Sequence, residues 1–176
     1  MTTPPLRALH ALALLSTGLL AGAFGYGAAN LAPTFDAVPL DTRLSFHAER
    51  MRMNGITMQA AMGVSALSAL TLAALTRGRA RLLAGTAGLL ALASFLITRL
   101  GNVPINGRIK EWAVTSAPAG HAEILWRWDL FNTLRTLAAI AAFGLMIALV
   151  TADRRSPTAR RSERRPARVS PRRGAV

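Results

Sequence analysis

Two short polar motifs in a largely apolar sequence contain the residue types that could do chemistry. The first lies in GNVPIN, where Asn102, Pro104 and Asn106 form the pattern N-x-P-x-N. Proline lacks an N–H and disfavours helix at the preceding residue, and Gly101 suits a helix C-terminus. We therefore predict a proline-fixed turn here, whose amides either cap freed backbone groups or face a polar pocket.

The second motif is W-x3-N-x2-R, formed by Trp128, Asn132 and Arg135 in WRWDLFNTLRT. At about 100° per residue of helix, these three side chains fall within roughly 60° of one another and share one face. Asp129 lies about 100° round from Trp128. Interfacial anchoring would also explain a tryptophan and an arginine here. An amide and a cation inside the membrane boundary are costly unless they face protein or a cavity, so both interpretations stay open.

His47 is a candidate general base, because an imidazole titrates near neutral pH. The alternative interpretation is that His47 is a solvated or interfacial imidazole on an amphipathic turn, with no catalytic role. A metal site could combine His47 and His121 with Glu49 or Glu123, but no tight ligand spacing supports it, and haem between the two histidines has less support still.

Four apolar runs predict the elements that must position these residues. The chain has 176 residues, of which 52% are hydrophobic and 16% are charged. A spanning helix needs about 20 apolar residues, and the runs predict spans at about 8–32, 53–76, 82–100 and 131–152. We therefore expect an all-α fold, an integral membrane four-helix bundle over residues 1–152.

The first span is expected to end in a broken segment. Its helix should break at Pro33 and Pro39, and a new helix should restart with Asp41 or Thr42 as its N-cap. A cleaved signal peptide is the alternative, since the small residues Ala21–Ala23 would suit a peptidase. Against that alternative, the apolar run continues well past this point, as a retained span does.

Arginine positions predict the orientation. Arg77, Arg79 and Arg81 occupy the connection between the second and third spans, and nine further arginines follow Thr151. The positive-inside tendency places both groups in the cytoplasm. We therefore expect a multi-pass protein of the cell membrane with cytoplasmic N- and C-termini, and with both polar motifs at the outer ends of the helices.

The segment 153–176 is expected to be a disordered, Arg-rich, basic C-terminal tail in the cytoplasm, because it combines arginine with proline and serine. Attraction to the anionic lipid leaflet, of about 1 kcal/mol per arginine, accounts for its charge. The tail has no aromatic residue to stack on bases, so no nucleic acid partner is expected.

The chain has no cysteine, which excludes thiolate nucleophiles, iron–sulfur clusters and dithiol relays.

The order of three motifs resembles a known membrane family. APTF follows the first span, NVPIN follows the third, and WRWDLFNTLRT opens the fourth. This order is similar to the family called domain of unknown function 1772, which includes the anthrone oxygenases. The resemblance covers roughly Leu6 to Val150 and leaves the arginine tail outside. Most members have no assigned chemistry, and a subset is associated with the oxidation of polyketide anthrones to quinones.

The resemblance implies a polar pocket near the outer boundary, where the first motif faces Asn132 and Arg135 across the bundle. A flat, lipophilic, phenolic molecule would bind there together with dioxygen. Its substrate-binding residues would be Asn102, Pro104, Asn106, Trp128 and Asn132. His47 or Asp129 would act as the catalytic base, and Arg135 would help to stabilise the oxyanion.

No metal and no cofactor is expected under this interpretation, because an anthrone anion is electron-rich enough to pass an electron to dioxygen. The alternative function is a non-catalytic membrane protein that binds a lipophile or interacts with other proteins. A transporter has less support, because no charged residue lies at mid-membrane to form an ion path. Besides the lipid bilayer, a homo-oligomeric partner stays open.

Overall fold

A computed structural model describes residues 3–154, with side chains for residues 3–152. From residue 155 onward, the predicted tail lies outside the described residues. Within the described range the chain forms four long helices and no strand. These are α1 Pro4–Ala37, α2 Leu40–Leu75, α3 Gly78–Trp112 and α4 His121–Arg154.

The four helices confirm the predicted all-α membrane bundle. Each is long and apolar enough to cross a membrane, so the chain is described as a multi-pass membrane protein. Helix α1 packs against α2 and α4, and α3 packs against the same two helices. Every helix extends beyond the apolar run that predicted it at the end that carries the polar motifs.

The junction between α1 and α2 differs from the predicted one. The break occurs only at Val38 and Pro39, which are extended, and α2 begins at Leu40 without a side-chain cap. Asp41 and Thr42 lie within the first turn of α2, so the prediction of either as the N-cap is wrong. A proline can occupy this place because the first N–H groups of a helix have no partner within it.

Two prolines expected to end or break helices instead lie inside continuous helices. Pro33 follows a π-helical turn, Gly27–Leu31, and Pro104 follows a second one, Thr98–Asn102. In both turns a backbone N–H bonds the carbonyl five residues earlier. An inserted residue of this kind accommodates the missing proline N–H without ending the helix. The predicted break at Pro33 and turn at N-x-P-x-N are therefore wrong.

Small residues form the core in the half of the bundle away from the polar motifs. Alanines there allow the helix backbones to approach closely, as membrane helices commonly require. The cluster contains Ala13, Ala66, Ala69, Leu72, Ala73, Ala84, Ala87, Ala91, Ala142, Met146 and Leu149. Larger side chains fill the opposite half, namely Phe35, Leu44, Ile109, Trp112, Leu125 and Trp128. The polar residues of interest lie beside this second cluster.

We predict that Gly88→Ala destabilises the bundle. A Cβ at Gly88 would lie 2.7 Å from Leu70 Cγ and 3.0 Å from the Leu70 backbone nitrogen. Overpacking of this kind costs about 1–3 kcal/mol, and unfolding of the detergent-solubilised protein followed by circular dichroism measures it. Gly63→Ala is the matched control, because a Cβ there has no neighbour within 4 Å. Equal stability of the two variants would contradict the assigned α2–α3 contact.

Candidate functional site

His47 lies in an aromatic cage at the polar end of the bundle. Its side chain is 0% exposed. The imidazole stacks on Phe35 of α1 with ring centroids 4.9 Å apart, and Trp128 of α4 contacts it at 4.5 Å in an edge arrangement. Neither ring nitrogen of His47 has a hydrogen-bond partner among the residues that the structure describes. His47 is therefore a buried imidazole with both nitrogens free, rather than a solvated one.

The two polar motifs are in contact through Trp128. The side-chain amide of Asn102 donates to the Trp128 carbonyl oxygen at 3.1 Å. The indole N–H of Trp128 donates to Asn106 Oδ1 at 2.7 Å. The amides of the first motif therefore bond to Trp128, and no hydrogen bond joins them to Asn132 or Arg135. Asn102 Oδ1 is buried and has no partner among the described residues.

Arg135 lies about two helical turns beyond Trp128 along α4, and its hydrogen-bond partners are neutral groups. Asn132 Oδ1 accepts from Arg135 Nε at 3.2 Å and from Nη2 at 2.7 Å. Arg135 Nη1 lies 3.4 Å from Thr98 Oγ1, and the guanidinium carbon lies 4.5 Å from the centre of the Phe24 ring. Arg135 is only 9% exposed, so a buried cation is solvated here by an amide, a hydroxyl and an aromatic face.

Arg50 is a functional candidate that sequence reasoning missed. It is half-buried, and its Nη2 lies 3.4 Å from the position of a Cβ built on Gly27. Gly27 lies three residues from Phe24, whose ring contacts the Arg135 guanidinium. Spacing could have indicated Arg50, because it follows His47 by three residues and therefore shares its helix face.

Asp129 belongs to a separate ion-pair network. Arg43 donates to Asp129 Oδ2 at 3.1 Å and to Asp36 Oδ1 at 2.6 Å. This network borders an outer cleft of about 390 Å³, whose lining includes Phe35, Trp126 and His121. Of the two candidate bases, Asp129 is therefore held by a cation, whereas His47 is not.

The other residues of the candidate set are placed as follows. Pro104 is exposed on α3, just beyond the π-helical turn, and no described contact joins it to the cage. His121 Nδ1 lies 2.8 Å from the Pro118 carbonyl oxygen and lines the outer cleft. Over the described part of the chain, no group of three or more histidine or carboxylate side chains could hold a metal ion.

Comparison with known proteins identifies one family. The profile of a family described as anthrone oxygenase matches residues 43–145, more than half of the chain. The match confirms the family that the order of three motifs indicated. Its range includes His47, Arg50 and the motifs N-x-P-x-N and W-x3-N-x2-R, whereas APTF lies before it. Neither a curated protein nor a solved structure matches the chain.

We predict that Trp128→Phe destabilises the protein by about 1–3 kcal/mol, because it leaves the Asn106 carbonyl oxygen without its buried donor. Phenylalanine keeps an aromatic ring beside His47, so the lost hydrogen bond and the smaller ring volume together account for the change. The free energy of unfolding in detergent measures the effect. Trp126→Phe is the control, since Trp126 is 62% exposed, and its change should stay within about 0.5 kcal/mol. Equal losses in both variants would contradict the role of the hydrogen bond.

Proposed function

This chain belongs to the anthrone oxygenase family, and on that premise we propose that it is a cofactor-independent membrane oxygenase. Its substrate is a lipophilic, phenolic, anthrone-type molecule, which it oxidises to a quinone. The observation that carries the proposal is His47, a fully buried imidazole with both ring nitrogens unpartnered. A buried polar group left without a hydrogen bond costs about 1–3 kcal/mol, and a bound ligand would supply the partner.

The proposed reaction needs a base and a stabilised anion, with dioxygen as the oxidant. The base removes a proton from the methylene carbon of the anthrone, and the resulting anion passes one electron to dioxygen. The aromatic radical and superoxide then combine through a new carbon–oxygen bond, and the peroxide takes up the proton. Cleavage of the O–O bond with loss of the second C–H proton gives the quinone carbonyl and one water. One dioxygen is consumed for each quinone formed.

His47 is assigned as the base, and Phe35 and Trp128 make its surroundings suitable for a flat ring. General base catalysis contributes about 10²- to 10⁴-fold to such a step. Proton transfer to His47 creates an imidazolium together with a substrate anion, so the transfer adds no net charge to a site that already contains cations. Asp129 also has one buried oxygen, Oδ1, without a partner in the described part of the chain, but its carboxylate belongs to the ion-pair network of Arg43 rather than to the aromatic cage, so it is not assigned this role.

Arg135 is assigned to the oxyanion, with Asn132 positioning its guanidinium through two hydrogen bonds. Fixed donors of this kind are worth about 10²- to 10³-fold each, since they need no reorganisation as charge develops. The binding face would be completed by Asn102 and Asn106, which fix Trp128 against the imidazole. Pro104 would contribute indirectly, through the π-helical turn that precedes it.

We propose that the protein resides in the cell membrane with both termini in the cytoplasm, which puts the cage near the outer boundary. The three arginines Arg77, Arg79 and Arg81 between α2 and α3 support this orientation. A lipophilic substrate would then reach the site from the bilayer. The bilayer is the only further partner that the proposal requires.

The function predicts that His47→Phe lowers the rate of quinone formation by at least about 100-fold, because it keeps a ring in the cage and removes the base. Quinone absorbance and oxygen uptake with a hydroxyanthrone measure the rate, after subtraction of autoxidation in protein-free detergent. His121→Phe is the matched control and should keep the wild-type rate. An unchanged rate in the His47 variant would reject His47 as the base. Ligand binding by the wild-type protein without turnover above autoxidation would favour the non-catalytic alternative.

The orientation predicts where fused reporters are found. A phosphatase–fluorescent protein reporter inserted after Ala80 or fused after Val176 should read as cytoplasmic, because arginine-rich segments stay inside. A reporter placed near Pro118, in the connection between α3 and α4, should read as external. An external signal from the C-terminal fusion would overturn the orientation.

A further inference from the structure

We infer that Arg50 and Arg135 together form an anion-binding site, and that the ligand is held there as a planar aromatic phenolate or enolate. The aromatic character of the ligand rests on the proposed function. The requirement for a negative charge stands on the contacts alone. The site therefore recognises the ionised form of the substrate, and Arg50 is one of its binding residues.

The two guanidinium groups lie against adjacent turns of one helix. Arg135 covers the ring of Phe24 at 4.5 Å, and Arg50 Nη2 lies 3.4 Å from the position that a Cβ on Gly27 would occupy. Phe24 and Gly27 are three residues apart on α1, which is about one helical turn. Gly27 has no side chain to keep the Arg50 guanidinium away, and a Cβ there would already contact it. The two arginines thus approach α1 within about one helical turn of each other, Arg50 from α2 and Arg135 from α4.

No carboxylate of the described residues compensates these two charges. The ion pairs found there join Arg43 to Asp36 and Asp129, and Arg52 to Glu49. Arg135 receives only neutral partners, Asn132 and Thr98. Within residues 3–152, Arg50 makes no hydrogen bond and no ion pair. The carboxylates on this side of the bundle are therefore used by other arginines or are exposed.

Two neighbouring cations without a counterion are unfavourable where one of them, Arg135, is buried, because like charges repel and little water reaches the buried one to screen them. One anion placed near both would remove most of the repulsion. His47 cannot supply this charge, and the free Asn102 Oδ1 is neutral. A phenolate or enolate oxygen could supply it, while its rings occupy the aromatic surroundings of His47. The site would therefore select acidic phenols over ethers of the same shape.

The test is a binding titration of the full-length protein in detergent with 2-hydroxyanthraquinone and with 2-methoxyanthraquinone. The two quinones have the same ring system, and only the first can ionise, because its hydroxyl is conjugated to a carbonyl. We expect the hydroxyquinone to bind with the long-wavelength absorption of its phenolate at a pH where the free compound is largely neutral. The methyl ether should bind at least tenfold more weakly.

The variants isolate the charge of Arg50. Arg50→Gln should weaken hydroxyquinone binding by at least about tenfold, the loss expected for a hydrogen bond to a charged group, and should change binding of the methyl ether by less than twofold. Arg50→Lys should retain most of the hydroxyquinone affinity and the phenolate spectrum. Arg52→Gln is the matched control, since Arg52 is exposed on the same helix and pairs with Glu49; it should change neither ligand. Far-UV circular dichroism verifies folding of each variant.

Several outcomes would overturn the inference. They are a neutral-form spectrum for bound hydroxyquinone, equal affinity for the two quinones, or equal losses in the Arg50 and Arg52 glutamine variants. Displacement of the hydroxyquinone by millimolar inorganic phosphate, with no preference between the two quinones, would assign the cations to a free inorganic anion instead.

Quinones are not oxidised further, so binding is measured without turnover. Selective phenolate binding without anthrone oxidation would reject only the proposed function, and oxidation without selective binding would reject only this inference.

Discussion

The hydrogen bonds that hold Trp128 of α4 against α3 determine the arrangement of the other side chains at the polar end of the bundle. An unpaired polar group in a bilayer costs several kcal/mol, so an indole and two amides there must find their partners within the protein. Asn102 and Asn106 provide them, one to the carbonyl and one to the ring of Trp128. The indole then closes one side of the cage around His47, and Phe35 closes another. His47 is consequently isolated from solvent by groups that are themselves satisfied.

The charges around this cage are separated into two zones. In the outer zone, Arg43 is bound by Asp36 and Asp129, so the cation that lines the outer cleft is paired. In the inner zone, Arg50 and Arg135 have no carboxylate partner within the described residues. Arginine therefore has opposite consequences in the two zones. The outer pairs stabilise the junction of α1 with α2, whereas the inner cations are suited to a charge that arrives with a ligand.

The sequence predicted the membrane bundle because long apolar runs have few other stable arrangements in lipid. It also indicated both motifs, since a helical face can be calculated from spacing alone. It failed where contacts between helices decide the outcome. Gly101 was interpreted as a helix end, whereas a Cβ there would lie 2.6 Å from the Phe131 ring, so close packing requires this glycine. Arg50 shares a helix face with His47, but spacing alone does not show that Arg50 approaches Gly27 of α1 whereas Arg52 pairs with the exposed Glu49.

The two π-helical turns explain how a bundle of only four helices can place all of these side chains at one site. A π turn adds one residue to a helical turn, so the side chains before and after it leave the helix in a changed register. On α3, Thr98 at the start of the turn contacts Arg135, and Asn102 at its end contacts Trp128. On α1, Phe24 lies before the turn and contacts Arg135, while Phe35 lies after it and contacts His47. Each proline therefore marks a place where one continuous helix contributes side chains to two levels of the same site. A broken helix could do so only by adding a flexible backbone segment with unsatisfied polar groups inside the membrane.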